Sequence, residues 1–489
     1  MSVALPAPCD RGVLESAPAA PCDRATARWV LAATILGSSM AFIDGTVVGV
    51  ALPVIQKSLG ASPASAQWVT EAYLLFLSAL VLTSGSLADR IGRRRIFASG
   101  VALFAVASLA CAAAPSAGIL IASRAVQGVA ASMMIPSSLA ILGAANSPKE
   151  RGRAIGAWSS LTAIATAIGP LLGGWLTETV SWRAVFLVNL PVAAAVLAIT
   201  LSKVPETRNA LAGRIDVAGS ILATVGLAAV VFALIEAPSV GWSDARTAAA
   251  LVGGVLALTG FVLVERKSTH PMLPLALFRN RVFTGANLLT FFLYAAVGAA
   301  LFLLPFELIQ SQGYSPTKAG MALLPLIALV FLLSRPAGAL ADRIGPRWPL
   351  IVGPAIAALG FFLLSTFRAN APYAVAFLPG IAVLGLGMGI TVAPLTTAVL
   401  NAVDRDEQGV ASGINNAVSR VGGLIAIAAI GLVAGASVGP TGTNAHAGAA
   451  PFVAAFRTAM RLTALLAVLA SASALVFVKV KIKGDRPRA

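Results

Sequence analysis

Two opposite charges stand inside otherwise apolar sequence. Asp44 lies in Phe42-Ile43-Asp44-Gly45-Thr46-Val47-Val48-Gly49-Val50-Ala51-Leu52-Pro53, and Arg124 in Leu120-Ile121-Ala122-Ser123-Arg124-Ala125-Val126-Gln127-Gly128. A charge deep in an apolar span costs several kcal/mol, so each needs a counter-charge, a backbone carbonyl or a wet cavity. Asp44 is the carboxylate placed near mid-span in the N-terminal half, and Arg124 the cation placed within a helix of that half. A carboxylate whose counter-charge can withdraw is equipped to bind and release a proton. The plainer alternatives are an Asp bonded to nearby hydroxyls and an Arg snorkelling to the interface. Other charges are less pointed. Glu71, Glu236 and Glu307 fall near expected outer helix ends, where water solvates a carboxylate. Glu71 and Glu307 are nonetheless candidates to line a substrate cavity, Glu307 within Leu304-Pro305-Phe306-Glu307-Leu308-Ile309-Gln310. Arg335 and Arg420 sit inside spans of the second half, and the sequence does not identify what Arg420 pairs with.

The elements that must position these residues follow from composition. The 489-residue chain is 58% hydrophobic and 11% charged, with a mean hydropathy of +0.88. A soluble domain carries about 25% charged residues, and the apolar runs here are long enough to cross a ~30 Å hydrocarbon core. Fourteen such runs are predicted: 29–51, 67–88, 96–114, 117–143, 156–176, 184–202, 217–236, 246–264, 283–304, 318–341, 349–367, 372–399, 410–436 and 452–478. With the N-terminus inside, 25 of the 35 Lys and Arg residues fall on the cytoplasmic side and 7 outside, as the positive-inside rule requires. Both termini are therefore expected in the cytoplasm. The net charge of +16 is spread over these short loops, which argues against a nucleic-acid partner. Cys9 and Cys22 sit in an N-terminal tail without a signal-peptide core, and Cys111 in an apolar run, so no disulfide framework is implied.

An internal repeat sets the architecture. Gly85-Ser86-Leu87-Ala88-Asp89-Arg90-Ile91-Gly92-Arg93-Arg94 recurs as Gly338-Ala339-Leu340-Ala341-Asp342-Arg343-Ile344-Gly345-Pro346-Arg347, 253 residues on. Pro136–Leu142 is echoed by Pro394–Leu400, 258 residues on. Each shift moves the pattern by eight helices, an even number, so the copies are parallel in the membrane. Two six-helix halves then leave helices 7 and 8 as an inserted pair.

The loop Gly85–Arg95, with Gly85, Asp89, Arg90, Gly92 and Arg93, resembles the signature of the major facilitator superfamily, and Asp342 and Arg343 mark its second copy. Its glycines allow a tight turn, and Asp89 can face the N-terminus of a neighbouring helix. The resemblance implies a gating loop that latches one access state. The Arg124 segment is similar to the family motif whose Arg is linked to proton coupling. Gly169-Pro170-Leu171-Leu172-Gly173-Gly174 resembles the motif of the exporter branch, a hinge in which Gly169, Gly173 and Gly174 permit close approach and Pro170 removes a backbone donor. The Asp44 segment is similar to the first-helix motif of the fourteen-span drug:proton antiporters, with Gly49 where Asn is common.

The expected fold is all-α and integral to the membrane: a disordered cytoplasmic tail (1–28), an N-terminal six-helix bundle (29–202), a linker with two extra helices (203–282), a C-terminal six-helix bundle (283–478) and a basic tail (479–489). What the resemblance implies is a proton-coupled exporter of small amphipathic compounds in the plasma membrane, with a small-molecule substrate, protons and the bilayer as partners. An importer or uniporter is the alternative, although Gly169–Gly174 speaks against it, and a membrane sensor lacks a soluble module of any size. No P-loop occurs, which disfavours an ATP-driven pump. His270 and His446 lie in loops, so neither a metal, a cofactor nor enzymatic chemistry is expected. The sequence sets no oligomeric state, and a monomer suffices.

Overall fold

In the computed structural model the described residues are 23–208, 216–268, 271–367, 371–404, 407–437 and 450–478. Cys9, Cys22, His270, His446, the basic tail 479–489 and all of the N-terminal tail before Asp23 lie outside them. Fourteen helices among the described residues are long and apolar enough to cross a membrane. They are α1 (Arg24–Ser58), α2 (Pro63–Ile91), α3 (Arg93–Ala113), α4 (Ala117–Ala145), α5 (Glu150–Thr179), α6 (Ala184–Lys203), α7 (Val217–Val240), α8 (Ala245–Lys267), α9 (Arg281–Ser311), α10 (Pro316–Ile344), α11 (Arg347–Ser365), α12 (Leu378–Asn401), α13 (Gln408–Leu432) and α14 (Phe452–Phe477). Each predicted run falls on one of them.

The helices overrun the predicted edges where local chemistry lets them. Residues 24–28, expected in the tail, form the first turns of α1, because the Asp23 side chain caps the helix by accepting from Thr26 N at 3.2 Å. Hydrogen bonding from Thr26, side chain first, holds the Asp23 carboxyl below the usual carboxylate range. At the other extreme, α9 continues past 304 through a π turn at Glu307–Ser311. Glu307 therefore belongs to the helix and not to a frayed end.

The chain divides into two compact units. The first comprises the described residues up to Ala229 with Gly253–Met272, and the second Val230–Val252 with Leu273 onward. Thus α1–α6 belong to one and α9–α14 to the other, while α7 and α8 are each shared out between them. Within the units the same neighbours recur. α2 packs on α4 as α10 packs on α12; α1 on α5 as α9 on α13; α3 on α4 as α11 on α12. The pairs α1–α6 and α3–α6 have counterparts in α9–α14 and α11–α14. Every pair advances by eight helices, the shift read from the sequence repeat. The architecture is two six-helix bundles with an inserted pair.

Candidate functional site

In the first unit α1, α2, α3, α4 and α6 converge on Asp44. Its side chain is fully buried, as is that of Arg124, and Arg124 Nη1 is paired directly with Asp44 Oδ2. Arg124 does not snorkel. Its Nε donates to the Val69 carbonyl of α2 at 3.1 Å, and Nη1 also reaches Gln127 Oε1 at 2.8 Å. The other carboxylate oxygen, Oδ1, accepts from Asn189 Nδ2 at 3.0 Å and Gln127 Nε2 at 3.3 Å. Both amides also donate to Ser108 Oγ, at 2.8 Å from Gln127 and 3.2 Å from Asn189, and Cys111 Sγ donates to Gln127 Oε1 at 3.2 Å. Asp44 is thus held by donors from three sides. Leaving a buried acceptor or donor unmatched costs about 1–3 kcal/mol, more when it is charged, so the cluster is bound to stay whole unless its helices separate.

Aromatic rings seal it. The Arg124 guanidinium lies 4.3 Å from the centroid of Tyr73 and 5.9 Å from that of Phe186. The Tyr73 hydroxyl donates to the Ala41 carbonyl at 2.8 Å, tying α2 to α1. One turn beyond Arg124, Gly128 brings α4 against the backbone carbonyl of Tyr73, where a Cβ has no room. On the opposite side of α1, Gly169 and Gly173 of α5 lie against Thr46 and the backbone of Val47. A Cβ at Gly173 would stand 2.6 Å from the Val47 carbonyl oxygen. The predicted hinge is, in this conformation, the surface by which α5 grips the Asp44 segment, and the helix runs unbroken through Pro170.

In the loop between α2 and α3, Asp89 meets a side chain and not the N-terminus of a neighbouring helix. Asp89 pairs with Arg93 of the same loop at 2.7 Å, and Arg93 Nη1 also reaches the Ala140 carbonyl of α4 at 3.4 Å. The N-terminus of α3 is capped instead by Glu206: Arg94 N donates to Oε1 at 3.0 Å and Arg95 N to Oε2 at 3.2 Å. Arg93 N donates to the Thr207 carbonyl at 2.9 Å and Arg94 Nη1 to that of Val204 at 3.1 Å. The start of the inter-bundle linker is thereby strapped across the loop. Gly92, at φ +134°, makes the turn and leaves room for the Glu206 carboxylate. Arg90 is exposed beside it. In the second copy Gly85 corresponds to Gly338, while Asp342 and Arg343 are exposed and form no ion pair among the described residues.

Two carboxylates differ from the sequence expectation. Glu71 and Glu307 are not solvated helix ends, since both are 0% exposed. Glu71 stands in the third turn of α2, which begins at Pro63 and is covered by α4, and neither of its oxygens has a hydrogen bond among the described residues. Glu236 is partly buried near the end of α7. Arg335 is exposed on α10, and Arg420 is partly buried on α13. No metal-binding cluster of His, Cys, Asp and Glu occurs among the described residues.

Sequence reasoning missed Ser108, Gln127, Asn189, Tyr73, Cys111 and Glu206 as partners. Gln127 was detectable, being three residues from Arg124 and on the same helix face. Asn189, the one amide side chain of α6, carried the same signal of a polar group in an apolar run.

A duplicated bundle of membrane-spanning helices carries a buried ion pair in one of its two copies. The sequence profile of the Major Facilitator Superfamily matches residues 34–427 and, in an overlapping match, 289–488; the chain belongs to that family. It is 38% identical to the multidrug resistance protein Stp of Mycobacterium tuberculosis, over 84% of this chain and 76% of that one. It is 35% identical to the tetracenomycin C resistance and export protein of Streptomyces glaucescens, over 84% and 76%. It is 37% identical to the puromycin resistance protein pur8 of Streptomyces alboniger, over 83% and 81%. Among solved structures, an inward-facing bacterial homologue of the lysosomal transporter Spinster superposes with a TM-score of 0.65, at 18% identity and over 92% of this chain and 97% of the other. The last comparison shows the fold alone.

Proposed function

We propose that this protein is a proton-driven exporter that carries small amphipathic or lipophilic compounds out of the cell by alternating access. The observation that carries the reading is the buried Asp44–Arg124 pair, satisfied on every side in one unit of a transporter whose relatives bear antibiotic-resistance and export names. While the helices hold together, Arg124 is the positive charge on Asp44. When α1 and α4 part, a proton takes the place of Arg124, because a bare carboxylate in an apolar span costs several kcal/mol. Re-forming the pair expels that proton. Coupling needs only that one of these arrangements opens to each side of the membrane.

In this reading Asp89, Arg90 and Arg93, with Gly85 and Gly92, form the gate loop, Asp342 and Arg343 its weaker second copy, and Gly169, Pro170, Gly173 and Gly174 the surface on which α1 and α5 move. Glu71 and Glu307 are the acids nearest to contacting substrate. In this reading the domains are a bundle at 29–202, extended at its start by the first turns of α1, a linker pair at 203–282 and a bundle at 283–478. The protein sits in the plasma membrane with both termini in the cytoplasm. Inverted vesicles given an acid interior test this directly. They should accumulate puromycin or another amphipathic antibiotic, and dissipating the gradient should abolish the uptake. Uptake that persists without the gradient would favour a uniporter.

A further inference from the structure

The second unit holds an acid and an arginine that do not meet. Glu307 opens the π turn that ends α9. Its Oε1 accepts from Gln312 Nε2 at 2.9 Å, Ser311 lies beside it, and its Oε2 is buried without a hydrogen bond. The π turn packs against α14, and Arg457, near the start of that helix, lies within electrostatic reach of Glu307. Arg457 Nη2 donates to the Phe367 carbonyl at 2.7 Å, and the guanidinium stacks 5.2 Å from that ring. Phe367 is itself packed on Phe377 and Phe456, at 4.9 and 5.6 Å. Arg457 Nε is buried and, like Glu307 Oε2, lacks a partner among the described residues. The two charges form no ion pair, each being held back by its own anchor.

A buried acceptor and a buried donor, each unmatched and carried on elements packed together, are satisfied at once by one group that both donates and accepts. A hydroxyl or a carboxamide does so, donating to Glu307 Oε2 and accepting from Arg457 Nε. An organic cation does not. Its attraction to Glu307 is offset by repulsion from Arg457, and it leaves the Arg457 donor unmatched. We propose that Glu307 and Arg457 form a binding site for the neutral hydroxyl or amide function of the transported compound, so that this unit selects uncharged polar amphipaths over cations. The proposal rests on the exporter reading and names its substrate class.

The test uses the full-length protein in inverted vesicles with an imposed proton gradient. Two probes compete: chloramphenicol, a neutral diol amide, and tetraphenylphosphonium, a permanent cation. The ratio of their uptakes is read within each variant, which makes it independent of how much folded protein is present. Arg457→Gln should lower the neutral-to-cation ratio by about tenfold, because the uncompensated carboxylate then attracts the cation and tetraphenylphosphonium uptake rises. Glu307→Gln should raise it, because the cation loses its counter-charge and meets an unpaired Arg457, whereas the neutral probe loses one hydrogen bond. Arg457→Lys keeps the charge but loses the planar Nε donor, and should fall between wild type and Arg457→Gln. If one variant fails to reach the membrane, the others decide. A ratio unchanged in all that do would overturn the site, leaving only ordered water between the two groups. Wild-type vesicles that take up neither probe, nor any other amphipath, would overturn the exporter reading itself.

Discussion

Asp44 and Arg124 in the first unit have no charged counterparts in the second. At the repeat offsets of 253 and 258 they fall on Val297 and Ala382. The helix packing was duplicated and the charge pair was not. The second bundle has instead a neutral cluster nearer the helix starts, Asn415 Nδ2 of α13 donating to Thr290 Oγ1 at 2.7 Å and Asn287 Oδ1 at 3.2 Å on α9. Its own acid and arginine, Glu307 and Arg457, lie at the helix ends and stay apart. One scaffold therefore supports two electrostatic arrangements: a closed pair that resists water, and an open pair that invites a polar group. The division suits an antiporter, in which one half handles the proton and the other the cargo.

The largest effects should come from breaking the closed pair. Arg124→Ala strands the Asp44 carboxylate and should destabilise the protein by about 3–5 kcal/mol, read as a drop in thermal stability of the purified protein. Adding Asp44→Asn to that variant should recover most of the loss, because a neutral amide is less costly to strand. Export should stay absent in both. Non-additive stability of this kind would confirm that the two residues act as one unit.

Much of this contrast is legible in the order of the amino acids. The repeat gave the parallel halves, the apolar runs gave the count of spans, and isolated charges gave Asp44 and Arg124. What remained hidden depended on helix rotation and on exact helix ends. Glu71 and Glu307 read as solvated because hydropathy locates an end only to within a turn, and one turn decides whether a carboxylate meets water or a neighbouring helix. Glu206 escaped notice because its partners are backbone N–H groups more than a hundred residues away, which leave no mark on side-chain patterns.

Next in size is the contact that shapes the site. Gly173→Leu pushes a side chain into the backbone of Val47 and should cost about 1–3 kcal/mol, with export reduced severalfold at equal membrane abundance. Gly49, where a Cβ would meet nothing within 4 Å, should accept Ala with little change. Equal effects at the two positions would mean that the α1–α5 contact does not matter for transport.

The two loops should differ in the same direction as the two bundles. Asp89→Asn removes the pair with Arg93 and should lower export strongly while the protein still reaches the membrane. Asp342→Asn, at an exposed acid without an ion pair among the described residues, should do less. Smallest is Glu206→Ala, which uncaps α3 and should lower stability by about 1 kcal/mol, with a modest loss of transport through a loosened loop. An effect of Asp342→Asn as large as that of Asp89→Asn would remove the asymmetry from this level of the molecule.

Proton coupling at Asp44 is tested most directly by comparing uphill with downhill movement in one preparation. Asp44→Asn, compared with wild type at equal amounts of folded protein in vesicles, should still exchange labelled for unlabelled substrate at equilibrium, slowed only severalfold by the unpaired Arg124. It should fail to concentrate substrate when a proton gradient is imposed, since no group remains to trade Arg124 for a proton. Undiminished, gradient-dependent accumulation by Asp44→Asn would contradict the account and move the proton site elsewhere, with Glu71 the first residue to examine.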